Sequence, residues 1–154
     1  MLRLQNHSSV EHRQALIVVS EDVPHFVEDL IRHDPRKSAW IRPSDRISDV
    51  LAKLEFEDVG ALVVSAKGHR IDGIISERDV VRGMRYYGEE IFDLPVEVLM
   101  QDNVITCQSE DTVQHATHLM QLHHIRHLPV TNGSKFVGLL SLRDVLPSLK
   151  SLHN

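Results

Sequence analysis

Two short stretches place residues able to do chemistry at the same spacing, Ser76-x-x-Asp79 and Ser141-x-x-Asp144. Two chemistries suit that spacing. A serine at a helix N-cap with an acid three residues on is a capping box, in which hydroxyl and carboxylate satisfy free amides of the first turn. Glu or Gln usually fills the acid position, because the side chain must reach back. Asp is one methylene shorter, yet both stretches use it. Alternatively, a carboxylate at a helix start accepts charge-assisted hydrogen bonds from the two hydroxyls of a ribose cis-diol. The free amides and the positive end of the helix dipole nearby favour a phosphate. Arg78, Arg143 and Arg126, with their forked guanidinium groups, and His127 are candidate phosphate partners. The plain reading of each is a solvated surface charge. On sequence alone, cap and ribose acceptor both stay open.

The other reactive side chains point less far. Of 11 histidines, His115, His118, His123, His124 and His127 cluster. His115 and His118 share a helix face at a spacing that a metal can use, which would suit a metal-dependent hydrolase. No carboxylate or thiol completes the set, so a polar helix face and a polar loop are the plainer reading. Cys107 is the single cysteine, which rules out an internal disulfide and suits a reducing compartment. Its place in or just after a strand marks it as core. Glu89 and Glu90 read as loop charges. No nucleophile elbow, Walker-type phosphate loop or paired catalytic carboxylate occurs, so neither catalytic residues nor a required cofactor is expected.

Composition narrows the class. The chain has 154 residues, 42% hydrophobic and 25% charged, as in an ordinary globular protein. A formal net charge of -5 argues against a nucleic-acid binder, which needs a basic face. No stretch is long and apolar enough to cross a bilayer, and a cytoplasmic location is expected. Residues 1–23 show no clear period and read as an arm, either disordered or a strand added to a partner's sheet.

An internal repeat positions the two Ser-Asp pairs. Gly73-Ile74-Ile75-Ser76-Glu77-Arg78-Asp79-Val80 matches Gly138-Leu139-Leu140-Ser141-Leu142-Arg143-Asp144-Val145, 65 positions on, and Gly68 matches Gly133. Upstream the separation is 66, as in Asp45 and Asp111 or Leu62 and Leu128. Each repeat predicts a short helix (about 24–33, then 95–100) and a short strand (about 39–41, then 104–106). A helix capped by Asp45 or Asp111 follows, then two strands about a glycine turn and a last helix. The apolar residues Ile47, Val50, Leu51 and Leu54, and Val113, Ala116 and Met120, keep helical intervals. The fold class is therefore α+β, with two β-α-β-β-α repeats over 24–88 and 89–150 and a short tail at 151–154. Neither repeat buries a good core alone. Packed sheet to sheet with pseudo-symmetry, they bury both apolar faces and leave clefts between them.

This order resembles the cystathionine β-synthase (CBS) domain. The resemblance rests on Val59-Gly60-Ala61-Leu62-Val63-Val64 with the Gly73–Asp79 stretch, on Leu99-Met100 with Val104-Ile105-Thr106, and on Ile125-Arg126-His127-Leu128-Pro129-Val130. It covers about residues 24 to 150, and two copies in register make it specific. Short stand-alone bacterial pairs are the most similar kind. Some relatives carry Gly where this chain has Arg143.

The resemblance implies a regulatory sensor that binds AMP, ADP, ATP or a nicotinamide dinucleotide between the repeats, in a homodimer, with output through a separate regulated protein. It assigns nucleotide contacts to Ser76, Arg78, Asp79, Ser141, Arg143, Asp144, Arg126, His127 and Pro129. The adenine would meet Gly60, Ala61, Leu62 and Ile75, or Val104, Thr106, Leu128 and Leu140. Trp40, aligned with Thr106, is either a stacking platform or a core plug. Leu51, Leu54, Leu119 and Leu122 offer apolar surface for a dimer. With more cationic partners in repeat two, Asp144→Ala is expected to harm a charged nucleotide more than Asp79→Ala. The competing classes are a metal enzyme built on the histidine cluster and a dimerisation unit with empty clefts.

Overall fold

Val-, Ile- and Leu-rich runs between glycine turns form the strands expected of them, and the 3.6-period stretches form helices. The computed structural model describes residues 25–151, so the N-terminal arm and the last three residues of the tail lie outside the described residues. In the first repeat β1 (Trp40–Ile41) leads to α2 (Ile47–Glu57), preceded by a short helix α1 (Val27–Ile31). Then come β2 (Ala61–Val64), β3 (Gly73–Ser76) and α3 (Glu77–Tyr87). The second repeat runs α4 (Val96–Leu99), β4 (Cys107–Gln108), α5 (Val113–His123), β5 (His127–Asn132), β6 (Lys135–Ser141) and α6 (Leu142–Ser151). Each repeat makes a three-stranded sheet, with the first strand parallel to the second and the second antiparallel to the third. Gly68 and Gly133 take positive φ, 79° and 63°, at the two hairpin turns, where a side chain would be strained.

Two local expectations shift. The second opening strand was expected at 104–106 and forms at Cys107–Gln108, because Cys107 pairs with Val130 and Gln108 with Thr131. Val104 and Ile105 instead line a cleft. The expected caps Asp45 and Asp111 sit one residue before the true N-caps, Arg46 and Thr112. Their short carboxylates reach backward instead, accepting from Arg42 N at 3.0 Å and Gln108 N at 2.8 Å to close the preceding turn. Thr112 Oγ1 takes the cap, accepting from His115 N at 3.1 Å.

Three apolar layers hold the fold. Ile47, Val50 and Leu54 of α2 pack with Leu62, Ile75 and Val80, and Val113, Ala116 and Met120 of α5 pack with Leu128, Leu140 and Val145. Between the sheets lie Ala61, Val63, Phe136 and Leu139, all buried, with Trp40 and Ile74 at the edge. Burying a Val, Leu or Phe side chain is worth about 1.5–3 kcal/mol, so this middle layer ties two marginal halves together.

The short helices are exchanged. Val27 of α1 belongs to the second core, while Ile91 and Val96, ahead of and within α4, belong to the first. The backbone bonds repeat in both places. Val27 N donates to Asp111 O at 2.9 Å and Glu28 N to Ser109 O at 3.0 Å, and likewise Val96 N donates to Asp45 O at 2.8 Å and Glu97 N to Pro43 O at 3.0 Å. The repeated glycines of the motif receive the exchanged helices. A Cβ on Gly73 would lie 2.7 Å from Met100 Sδ, and one on Gly138 would lie 3.0 Å from Ile31 Cδ1.

Candidate functional site

Each Ser-Asp pair closes the strand-to-helix junction of its repeat. Ser76 ends β3 and caps α3, with Asp79 Oδ2 accepting from Ser76 N at 2.8 Å and from Ser76 Oγ at 2.9 Å. Ser141 ends β6 and does the same before α6, with Asp144 Oδ2 accepting from Ser141 N and Oγ, both at 2.7 Å. The first amide of each helix is tied across the sheet, Glu77 N to Gly60 O at 3.1 Å and Leu142 N to Arg126 O at 2.7 Å. The capping box therefore exists, and it consumes one carboxylate oxygen. The other oxygen of each Asp faces away from the cap. Asp79 Oδ1 accepts from Gln101 Nε2 at 3.2 Å. Asp144 Oδ1 lies 2.6 Å from Lys37 Nζ.

Each of these junctions opens into a cleft between the repeats. The first cleft, of about 420 Å³, holds Ser76, Asp79 and Gln101, with Arg78, Arg82 and Arg126 among its walls. Ile74, Val104, Ile105 and Pro129 give it an apolar side. The second, of about 800 Å³, holds Ser141, Asp144 and Lys37, with Arg36, Arg126 and Arg143. It also carries the acids Asp34, Glu55 and Asp58. Gly60, Glu77, Arg126 and His127 line both clefts and form their common wall. A Cβ on Gly60 would sit 3.2 Å from His127 Nε2, so the imidazole would have to give by a few tenths of an ångström to admit one. Burial holds the His127 imidazole below its ordinary value of 6.5; Asp144 opposes that shift and Arg126 adds to it.

The expected site residues divide by strand alternation. Ser76, Arg78, Asp79, Gly60, Arg126, His127 and Pro129 meet in the first cleft, and Ser141, Arg143 and Asp144 line the second. Ala61 faces the opposite sheet, while Ile75 and Leu128 are fully buried beneath the helices, as are Leu62 and Leu140. Thr106 is exposed and lines a separate hollow with Arg70 and Lys135. Trp40 lines neither cleft. It covers the Gly68 turn, where a Cβ would lie 2.6 Å from its Cε2 atom, and Lys53 Nζ stands 6.0 Å from its ring centre. Gln101, Asn103, Arg82, Ile105 and Lys37 were not anticipated as site residues. Arg82 follows Arg78 by one helical turn, a signal that was legible. Gln101 and Lys37 reach their aspartates only through the exchange of the short helices, which nothing in the sequence marks.

The remaining candidates place simply. Among the described residues no three of His, Cys, Asp and Glu converge on a point that could hold a metal. His115, His118, His123 and His124 are exposed. Cys107 is buried, and burial above all, with Asp111 adding, pushes its thiol up to about 12. Among the described residues no helix is long and apolar enough to cross a membrane.

Comparison with known proteins bears on this geometry directly. A 17.7 kDa protein of Acidianus ambivalens is 31% identical over 115 residues, 73% of this chain and 68% of that protein. The crystal structure of a CBS-domain protein from Agrobacterium tumefaciens superposes with a TM-score of 0.76 at 29% identity, covering 84% of this chain and 96% of that one. A CBS-domain protein of Pyrobaculum aerophilum, solved in complex with AMP, superposes with a TM-score of 0.71 at 27% identity, covering 83% of this chain and 98% of that one. The profile of the CBS domain matches residues 27–86 and again 96–151, the two halves that share the Ser-Asp junctions. With two such matches, two matched sheets and two inter-repeat clefts, the chain belongs to the CBS-domain family, as a tandem pair of the regulatory kind.

Proposed function

We propose that this CBS pair is a sensor that binds an adenine nucleotide in the first cleft, with Asp79 as ribose acceptor, and catalyses no reaction. The observation that carries the reading is the division of labour within the Asp79 carboxylate. Oδ2 is held by the cap, which fixes the group. Oδ1 is turned to the cleft and engaged only by a neutral amide at 3.2 Å. A ribose diol can take that oxygen at little cost, because it replaces one neutral donor by another.

The surroundings fit the rest of a nucleotide. Arg78, Arg82 and Arg126 outnumber Glu77 and Asp79 in the first cleft, so a phosphate meets net positive charge. Val104, Ile105, Pro129 and Ile74 offer an apolar face to the base. The AMP complex of the Pyrobaculum relative supports AMP first among AMP, ADP, ATP and NAD. The ordering expected from sequence is reversed in this proposal, since the second cleft carries more acids and its aspartate is already paired. As the second element of the proposal, the pair works as a homodimer in the cytoplasm on a separate protein. Leu51, Val81, Met84, Val98 and Leu122 are exposed apolar side chains suited to the dimer contact, whereas Leu54 and most of Leu119 are spent on the cores.

Isothermal titration with AMP, ADP, ATP and NAD tests the ligand. Binding of at least one below about 1 mM is expected. Silence from all four would leave a dimerisation unit with empty clefts as the surviving reading. Light scattering at micromolar concentration tests assembly, and a monomeric mass refutes the dimer.

A further inference from the structure

The same motif builds both clefts, yet the free oxygen of its aspartate meets a different partner in each. In the first, Gln101 offers a neutral amide to Asp79 Oδ1 at 3.2 Å. In the second, Lys37 Nζ lies 2.6 Å from Asp144 Oδ1, with only 13% and 20% of the two side chains exposed. Repeat symmetry does not supply this lysine. Trp40 and Thr106 stand in register, which puts Lys37 opposite Asn103.

Lys37 is also presented from a fixed base. It sits in a 3-10 turn, Pro35–Ser38, whose N-cap Asp34 accepts from Arg36 N at 3.1 Å. The Arg36 guanidinium clamps the same carboxylate through Nε at 2.8 Å and Nη2 at 2.7 Å, and Ser38 Oγ donates to Pro35 O at 2.9 Å. A sugar hydroxyl is a neutral donor. To take Asp144 Oδ1 it must displace an ammonium group and leave that charge shielded from water without its partner. The clamp pairs Arg36 with Asp34, so neither adds net charge to the same cleft, where Glu55, Asp58 and Glu77 oppose a phosphate.

We propose that Lys37 decides which cleft takes the nucleotide: by holding Asp144 Oδ1 it withdraws the ribose acceptor of the second cleft, so one chain binds one nucleotide. The inference rests on the reading of Asp79 as a ribose acceptor. In this scheme the two halves of a duplicated motif have separated in role. One aspartate receives ligand, and the other is kept as an internal ion pair that joins the 3-10 turn to the start of α6.

Calorimetric titration with AMP of the wild-type chain, Lys37→Met, Lys37→Gln and Asp79→Ala tests it, alone and with Asp79→Ala combined with each Lys37 variant. Lys37→Met keeps the stem and removes the charge, and Lys37→Gln copies the amide that Gln101 gives the first cleft. Thermal melts confirm that each variant is folded. The wild type is expected to bind one AMP per chain and Asp79→Ala at least tenfold more weakly. Either Lys37 variant is expected to bind a second AMP, and the double variants to keep one. Two AMP per wild-type chain overturns the proposal. One AMP per chain in both Lys37 variants, still lost with Asp79→Ala, overturns it while leaving the first cleft's assignment intact. Absence of AMP heat in the wild type and in both Lys37 variants overturns the assignment and the proposal together.

Discussion

Ser76 and Asp79 form one capping box, and the pair Ser76→Ala and Asp79→Ala separates capping from binding. Ser76→Ala deletes the hydroxyl that donates to Asp79 Oδ2 at 2.9 Å and accepts from Asp79 N at 3.4 Å, but leaves the bond from Ser76 N to Asp79 Oδ2 at 2.8 Å. The carboxylate keeps its anchor and Oδ1 keeps its aim. The expected cost is about 1 kcal/mol of stability, the middle of the range for a lost N-cap. Asp79→Ala deletes both bonds to Ser76 and the one from Gln101. Its cost in stability is of the same order, about 0.5–2 kcal/mol, the range for a lost helix cap. At the length of this chain each kcal/mol moves the melting temperature by about 2–4 °C. The two variants therefore differ little by thermal melt. They differ in binding: Ser76→Ala holds nucleotide affinity within about threefold, while Asp79→Ala loses about 1.5–3 kcal/mol, tenfold or more, as a charge-assisted acceptor disappears. Equal affinities in the two variants, whatever their melting temperatures, refute the role of Asp79 Oδ1.

Gly73→Val is expected to destabilise by about 1–3 kcal/mol, since its Cβ would lie 2.9 Å from the backbone Gln101 O as well as against Met100; urea denaturation equal to wild type refutes the tight approach. His127 is held neutral in the fold, so below its ordinary value of 6.5 the unfolded chain takes up the proton first and stability falls as pH drops toward the lower folded value. Urea midpoints at about pH 7.5 and about pH 5.5 should converge more in His127→Gln than in wild type, and an unchanged difference refutes this. Cys107, with its thiol at about 12, should resist iodoacetamide at about pH 8 until the chain is unfolded; rapid labelling of the native protein refutes its burial.

The elements were legible because their signals are local. The glycine turns at Gly68 and Gly133, the periodicity from Ile47 to Leu54 and the Ser-x-x-Asp junctions each need only a few neighbouring residues to be read. Placement within a half turn was less so. Asp45 and Asp111 have the right chemistry for caps, but an Asp can as readily close the turn before the helix, and here both do. The cleft walls failed where strand alternation had to be assigned by face. Ala61, Ile75 and Leu128 flank true cleft residues in sequence yet point into the layers. Lys37 was illegible altogether. Its partner Asp144 is remote in sequence, and the contact depends on α1 lying against the second core.

That exchange of short helices also sets an order of assembly during synthesis. The first core closes with residues between Ala39 and Met100, so no residue beyond Met100 is needed to complete it. Helix α1 is made earliest, yet its partners run from Cys107 to Val145. It must wait, with Val27, Leu30 and Ile31 uncovered, through the addition of the whole second half. Loop closure across that span is the entropically costly step, and it comes last. A chain interrupted just past Met100 therefore carries a closed first core and an orphaned helix. A division at the motif boundary, between residues 88 and 89, leaves each half without the helix that completes it. Two such chains have a simple way out, which is to lend each other the missing piece. The first core ends at Met100, and Gln101 is still paired with Ile74, so the stretch between Gln101 and β4 is where the chain passes from the first core to the second.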